Sequence, residues 1–128
     1  MADLSKCRPG NWLRYISENQ YCTFVAKDHY VTVEMYDGQH QLLDNDLAFI
    51  KLTKHFLSSC KFIQYGPDWK KQANGKTLTI SFSDERTYLT VNAGTPEFVG
   101  HLHTLQNVHF DLTGQPLKPN IYGIHDPG

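Results

Sequence analysis

The first part of the chain consists of short runs of aromatic and β-branched residues separated by turn-forming residues. These runs cover residues 12–16, 21–25 and 30–35, and the third alternates between apolar and polar side chains. A fourth strand is predicted over 39–43, after the turn at Asp37-Gly38. Short strands joined by tight turns favour a small antiparallel sheet or an SH3-like barrel.

The apolar spacing becomes helical near residue 53. Thr53 is predicted to cap a short helix over 53–60, and a strand over 62–65 follows it. The apolar stripe of this helix consists of Phe56, Leu57 and Cys60. Residues 77–82 and 87–91 then alternate on either side of a polar turn, which predicts a β-hairpin.

The last regular element is predicted to be a helix that packs on this hairpin. Thr95 is the expected N-cap, Pro96 the first helical residue and Gly114 the stop signal, which places the helix over 97–113. Its expected core face consists of Phe98, Leu102, Leu105, His109 and Leu112.

The elements together predict an α+β fold in a single domain over 1–128. We expect an N-terminal arm over 1–8, a globular body over 9–114 and an extended tail over 115–128. The tail carries four apolar side chains, which predicts that it docks on the body or on a second subunit and supports a homo-oligomer. These side chains are Leu117, Ile121, Tyr122 and Ile124.

Composition narrows the class of protein. The 128 residues are 40% hydrophobic and 20% charged, as in a folded domain, and no apolar run approaches the ~20 residues that span a bilayer. The formal charge of −1 argues against a nucleic-acid partner. The N-terminus has no apolar stretch typical of a signal peptide, so we expect a cytoplasmic protein with no membrane partner and with its three cysteines as thiols.

Three segments carry a family resemblance. Arg-Pro-Gly-Asn-Trp at 8–12 resembles an Arg-Ile-Gly-Asn-Trp/Tyr opening, 52–62 resembles a Leu-Thr-x-x-Ile-Leu-x-x-Cys-Gly-Phe segment, and 101–114 resembles a Tyr-Leu-His-x-Leu-Gln-Asn-x-Tyr-Phe-x-Leu-Thr-Gly helix. Together they resemble a family of small, mostly uncharacterised proteins of phages and integrated elements in Bacteroides-like bacteria, over about residues 8 to 117. The sequence departs from this pattern at Pro9, Lys61, His101 and His109, where an aliphatic residue, glycine, tyrosine and tyrosine are usual. The resemblance implies a phage or mobile-element protein in a bacterial cytoplasm, and it supplies no catalytic residues.

The seven histidines and three cysteines do not form a recognised catalytic or metal-binding motif. On a helix, His101 and His103 would point about 200° apart, so we expect no shared metal ion. Cys60 lies on an apolar stripe and is interpreted as a core residue. Asp44 and Asp46 are interpreted as a solvated turn. We therefore assign no catalytic residue, metal ligand or cofactor.

A ligand site is a more specific hypothesis. His103 and Gln106 lie between Val99 and Phe110 on a second face of the predicted helix, where they either hydrogen-bond to the neighbouring sheet backbone or line a cleft. Trp12 is expected in the core, whereas the Trp69-Lys70-Lys71 segment is expected in an exposed polar loop after Gly66-Pro67. Stacking rings and cations bind nucleotides. The candidate ligand-binding residues are His103, Gln106, Trp69, Lys70, Arg86 and Tyr88.

Three functions remain open from the sequence. The first is a non-enzymatic phage binding protein that sequesters a small nucleotide-type signal of host defence, which would make it a counter-defence protein. The second is a nucleic-acid-associated accessory protein, since small barrels often bind oligonucleotides. The third is a phosphodiesterase that uses His101 or His103 and acts on a nucleotide signal.

Overall fold

The computed structural model describes residues 4–83, 86–92 and 94–117. The described chain divides into two compact units, one up to Ile50 and one from Lys51 onward. Each unit contains a five-stranded antiparallel sheet, and the second also contains two α-helices. The predicted α+β fold is confirmed, and the expectation of a single domain stays a prediction.

The first unit is a meander with one added strand. A short 3-10 helix at Leu4–Lys6 precedes the sheet, whose strand order is β4-β3-β2-β1-β5. The strands are β1 (Trp12–Tyr15), β2 (Gln20–Lys27), β3 (Val31–Met35), β4 (Gly38–Leu42) and β5 (Leu47–Phe49). The first four were predicted from runs of aromatic and β-branched residues, from alternation in β3 and from the turn before β4, whereas β5 was not predicted.

The first sheet is open, so the SH3-like barrel alternative is wrong. Strands β4 and β5 form the two edges, and within the described residues they do not pair with each other. Alternation along β3 puts its apolar side chains in the core, as predicted, and Trp12 is also buried. The core of this unit consists of Leu4, Leu13, Cys22, Phe24, Val31, Val33, Met35 and Leu47.

In the sheet of the second unit, neighbouring strands are also consecutive along the chain, and the strand order is β10-β9-β8-β7-β6. Its strands are β6 (Ile63–Tyr65), β7 (Asp68–Ala73), β8 (Lys76–Ser83), β9 (Arg86–Val91) and β10 (Glu97–Phe98). Helix α1 (Lys54–Ser59) precedes the sheet and helix α2 (Leu102–Thr113) follows it. The predicted hairpin is the β8–β9 pair, with Ile80 opposite Leu89.

Strand β7 corrects the predicted polar loop. Trp69 and Lys70 lie within β7, where Trp69 pairs with Ile80 of β8. The reason is the two-residue turn at Asn74-Gly75, in which both residues have positive φ angles of 49° and 77°. Such a turn is typical of tight hairpins because its twist matches that of the strands.

Helix α2 begins later than predicted, so the Thr95 cap and the Pro96 start are wrong. The N-cap is His101, and Phe98 lies in β10 opposite Tyr88 of β9. Phe98 is therefore 60% exposed rather than part of the helical core face. The predicted stop is confirmed, because Gly114 caps the helix with a left-handed φ of 71°.

Helix α1 agrees with its prediction. Thr53 is its N-cap, although the Thr53 side chain makes no capping hydrogen bond within the described chain. All three residues of the predicted apolar stripe are buried, including Cys60. The helix ends at Ser59 with Cys60 as its C-cap, and the next residue, Lys61, has a left-handed φ of 69°.

The tail prediction is only partly within the described residues. Leu117 is 3% exposed and so is docked, whereas Ile121, Tyr122 and Ile124 lie outside the described residues. Neither helix of the described chain is long and apolar enough to cross a membrane.

Candidate ligand-binding site

Alternation along the second sheet separates the six candidate residues into two groups. Trp69 pairs with the buried Ile80 and so shares its face, together with Leu78 and Leu89. Helix α2 lies on this face, because Lys71 of β7 contacts His109 of α2. The opposite face carries Lys70, Arg86 and Tyr88. The six residues therefore do not line one cleft.

His103 and Gln106 belong to the helix layer. Both side chains are only 7% exposed. Gln106 Nε2 donates a hydrogen bond to the Leu117 carbonyl at 3.3 Å, so it fastens the segment that follows the helix. Trp69 Nε1 is also buried and has no hydrogen-bond partner among the described residues. The His103 and Gln106 side chains are therefore packed inside the fold, and Trp69 is half-buried beside the same face of the sheet.

His101 and His103 form a stacked pair. Their ring centroids are 5.6 Å apart and the rings are inclined by 20°. The expected 200° separation is wrong, because His101 is the N-cap and has extended backbone angles. Burial, and secondarily the charge of His101, lower the pKa of His103 to about 4, while burial also lowers the pKa of His101. Both rings are therefore held neutral near pH 7.

A second polar network joins β7 to the end of α2. His109 Nδ1 lies 2.8 Å from the Gln115 carbonyl and so carries the ring proton, which leaves Nε2 to accept from Lys71 Nζ at 3.2 Å. Burial lowers the pKa of Lys71 and raises the pKa of the nearby Cys60 thiol to about 12. A protonated, buried thiol is a poor nucleophile, which agrees with the core interpretation of Cys60.

The described residues contain no group of three or more His, Cys, Asp or Glu side chains that is placed to hold a metal ion. In the second unit, the side chains best suited to bind a ligand lie on the face of the sheet that α2 leaves open.

One row of side chains crosses this open face from edge to edge. Successive strand pairings place Phe98 beside Tyr88, Tyr88 beside Ser81, Ser81 beside Asp68, and Asp68 beside Tyr65. Aromatic rings therefore stand at both ends of the row with two polar side chains between them. Phe98 and Tyr65 are 60% and 58% exposed.

The neighbouring row supplies one of the cations. Its pairings join Thr90, Thr79, Lys70 and Ile63 across four of these five strands, and Ile63 is 61% exposed. Lys70 Nζ lies 5.7 Å from the centroid of the Tyr65 ring, which is within cation–π range. Arg86 lies two residues before Tyr88 on β9, on the same face and on the other side of the aromatic row.

The aromatic pair at the β10 edge is held in place. The rings of Tyr88 and Phe98 meet edge to face, with centroids 6.2 Å apart and an interplanar angle of 69°. Phe98 also rests on Gly100, since a Cβ atom at Gly100 would lie 2.9 Å from Phe98 Cζ. The absence of a side chain at Gly100 gives the Phe98 ring its position.

Sequence reasoning missed Ile63, Tyr65 and Phe98 as members of this face. Phe98 was assigned to a helix, although Gly100 is an unfavourable helical residue and marks a boundary before His101. Ile63 and Tyr65 were assigned to a strand, but their exposure follows only from the pairing of β6 with β7. The Asn74-Gly75 signal would have identified that partner strand.

The first unit contains a separate cavity of about 210 Å³. It is lined by Tyr15, Glu18, Gln20, Met35, Tyr36, Asp37, His40 and Leu42. His40 Nε2 and Asp37 Oδ1 are 2.7 Å apart there. The two carboxylates in this lining disfavour a phosphate group, so the cavity is less suited to a nucleotide than the open face of the second sheet.

Comparisons of the sequence with protein-family models, with curated proteins and with solved structures gave no match.

Proposed function

We propose that this chain is a non-enzymatic binding protein for a nucleotide-type ligand. Its site is the exposed sheet face, which we define as Ile63, Tyr65, Lys70, Arg86, Tyr88 and Phe98. The observation that carries the proposal is the combination, on one solvent-facing surface, of aromatic rings with two cationic side chains.

Stacking and charge supply different parts of the recognition. A base stacked on an aromatic side chain gains about 1–3 kcal/mol, and every base offers a face for such contact. Lys70 and Arg86 provide charged donors for phosphate oxygens. Lys70 lies over Tyr65, so the two side chains are neighbours. A base could contact the Tyr65 ring while its phosphate contacts Lys70.

The burial of the candidate nucleophile and bases favours a binding role over a catalytic one. Cys60 is a protonated core thiol, and His103 and His109 are enclosed in the helix layer. General acid–base catalysis needs its groups within reach of the substrate. The proposed role therefore relies on the rings and cations of the exposed sheet face, with no residue assigned to catalysis.

The biological setting of the proposal comes from the family resemblance. A phage protein that binds a host nucleotide signal in the cytoplasm would keep that signal from its receptor. Native mass spectrometry of the protein purified from phage-infected cells would identify a co-purifying mass of nucleotide type.

A binding experiment with a matched control tests the site. In isothermal titration calorimetry with adenosine and thymidine 5′-monophosphates, we expect Tyr88→Ala to weaken binding at least tenfold, because it removes a stacking platform. Tyr30→Ala removes an exposed tyrosine of the first unit and should leave binding unchanged. Absence of binding to the wild-type protein, or equal loss in both variants, contradicts the proposal.

A further inference from the structure

We infer that the ligand of the exposed sheet face is an oligonucleotide that contacts both ends of the aromatic row, not a single nucleotide. This inference rests on the proposed function and specifies the ligand class. It follows from the spacing of the rings, from the position of the cations and from the polar centre of the row.

The two aromatic ends are too far apart for one base. Tyr88 and Tyr65 are separated by three strand-to-strand steps through Ser81 and Asp68, which is about 14 Å at about 4.8 Å per step. A stacked strand advances about 3.4 Å per nucleotide, so this distance corresponds to about four steps between nucleotides in a stacked strand and to fewer in an extended one, in which a tetranucleotide reaches both rings. A mononucleotide at one end leaves the other ring uncovered.

Each aromatic end has a cation beside it. Lys70 lies over Tyr65, and Arg86 is next to Tyr88 on the same face of β9. Ring and cation together form one subsite for a base and its phosphate, and the row contains two such subsites. The Asp68 carboxylate between them disfavours phosphate and accepts hydrogen bonds from base N–H groups, such as N3–H of thymine. This distribution of charge fits a ligand with phosphates near the ends of the row and base edges over its centre.

A series of oligonucleotides of increasing length tests this inference directly. Thymidine monophosphate and the oligomers dT2, dT4 and dT8 would be titrated into the wild-type protein at low salt. We expect dT4 to bind at least tenfold more tightly than the monophosphate, because it reaches the second ring. We expect a smaller further gain from dT4 to dT8, because both subsites are then already occupied.

Variants at the far ring separate the two subsites. Tyr65→Ala should abolish the gain from monophosphate to dT4 while the affinity at the Tyr88 subsite is kept. The Tyr88 subsite has two rings, Tyr88 and Phe98, and we expect it to be the tighter of the two, so Tyr88→Ala should weaken every ligand. Tyr36→Ala removes a 92% exposed tyrosine of the first unit and serves as the matched control. Melting temperatures of all variants would show that the fold is intact.

A charge variant adds an independent measurement. Lys70→Gln should lower the slope of log affinity against log salt for dT4 by about 0.7, the value for one phosphate contact to a single strand. Lys54→Gln removes an exposed lysine of α1 and should leave the slope unchanged. An equal change in the two variants would contradict a phosphate contact at Lys70.

The outcomes distinguish this inference from the proposed function. Monophosphate binding without a gain at dT4 overturns the inference and keeps the proposed function, whereas no binding to any ligand overturns both. A gain that persists in a dT20 strand indicates a single-stranded nucleic acid as the source, and a gain lost in dT20 indicates a short free oligonucleotide. Either of these two results supports the inference.

Discussion

At the scale of single residues, Lys61 has a backbone conformation that favours glycine. Its φ is 69°, and the amide groups of Lys61 and Phe62 bond to the carbonyls of Ser58 and Leu57 at 3.0 Å each. This is the Schellman arrangement, in which the left-handed residue is most often glycine.

Replacement of Lys61 by glycine is expected to stabilise the protein. The left-handed conformation costs a side-chain-bearing residue about 1–2 kcal/mol, and the greater freedom of glycine in the unfolded chain offsets part of this gain. We expect Lys61→Gly to raise the free energy of unfolding by about 0.5–1 kcal/mol in urea titration. Lys61→Ala keeps the Cβ atom and removes the charge, so an equal gain in both variants would attribute the effect to charge.

The buried histidines make stability depend on pH. In the unfolded chain His103 takes up a proton near its ordinary pKa of 6.5, whereas in the folded protein burial and His101 lower its pKa to about 4. Its contribution to stability is therefore complete above pH 6.5 and is lost as the pH falls toward 4. Burial also lowers the pKa of His109, so it acts in the same direction.

Urea unfolding between pH 7.5 and 4.5 measures this dependence. We expect the free energy of unfolding of the wild-type protein to fall below pH 6.5, and to fall less steeply in His103→Gln, which cannot take up the proton. Carboxylates that titrate at the acid end affect both proteins, so the difference between the two curves is the informative quantity. Equal slopes would show that the pKa of His103 is the same in the folded and the unfolded protein.

At the scale of elements, local patterns predicted the structure where the partner lies next in the chain. Strand β3, helix α1 and the β8–β9 hairpin all followed from their own periodicity and turn residues. Strand β10 did not, because only two residues pair with β9 and the Thr95-Pro96 pair resembles a helix start. A two-residue strand has no periodicity of its own, so tertiary pairing decides its conformation.

The candidate site was predictable to a similar extent. Lys70, Arg86 and Tyr88 were identified from residue type alone, but their common face depends on the register of β7, β8 and β9. Trp69 precedes Lys70 in the sequence and yet points to the opposite side, since successive strand residues alternate. Residue type identified the candidate side chains, and only the strand pairings determined which of them share a face.

Helix α2 is fixed at its C-terminal end by the β7–β8 turn. Asn74 Nδ2 donates to the Thr113 carbonyl at 2.9 Å, and Lys76 Nζ donates to the Leu112 carbonyl at 2.5 Å. These carbonyls have no partner within a helix, and a cation also interacts favourably with the negative end of the helix dipole. The same turn that creates β7 therefore also positions α2 on the sheet.

At the scale of the whole molecule, the C-terminal segment allows a test of assembly. Leu117 is buried, and its carbonyl accepts the hydrogen bond from Gln106. We expect a chain that ends at residue 115 to lose about 2 kcal/mol or more of stability, because a buried leucine is removed. Chemical unfolding of this chain, beside one that ends at residue 117, measures that contribution.

Light scattering of the same chains tests the predicted homo-oligomer. The full chain should have the mass of an oligomer, and the chain that ends at 117 should have a lower mass while its stability is retained. The chain that ends at 117 is the control for fold, because it keeps Leu117. If all three chains have the same mass, the tail does not support assembly.

The order of strands in the two sheets has a consequence for the folding kinetics. In the second sheet every strand pairs with its neighbour in sequence, so each step closes only a short loop. The first sheet also requires β1 to pair with β5, with Leu13 opposite Phe49, and this contact closes a loop that contains three other strands. Because loop-closure entropy must be overcome before such a contact forms, we expect the β1–β5 pairing to be the slow step of its sheet. The face that carries Tyr65, Lys70 and Tyr88 is instead assembled from successive hairpins, which favours its early formation.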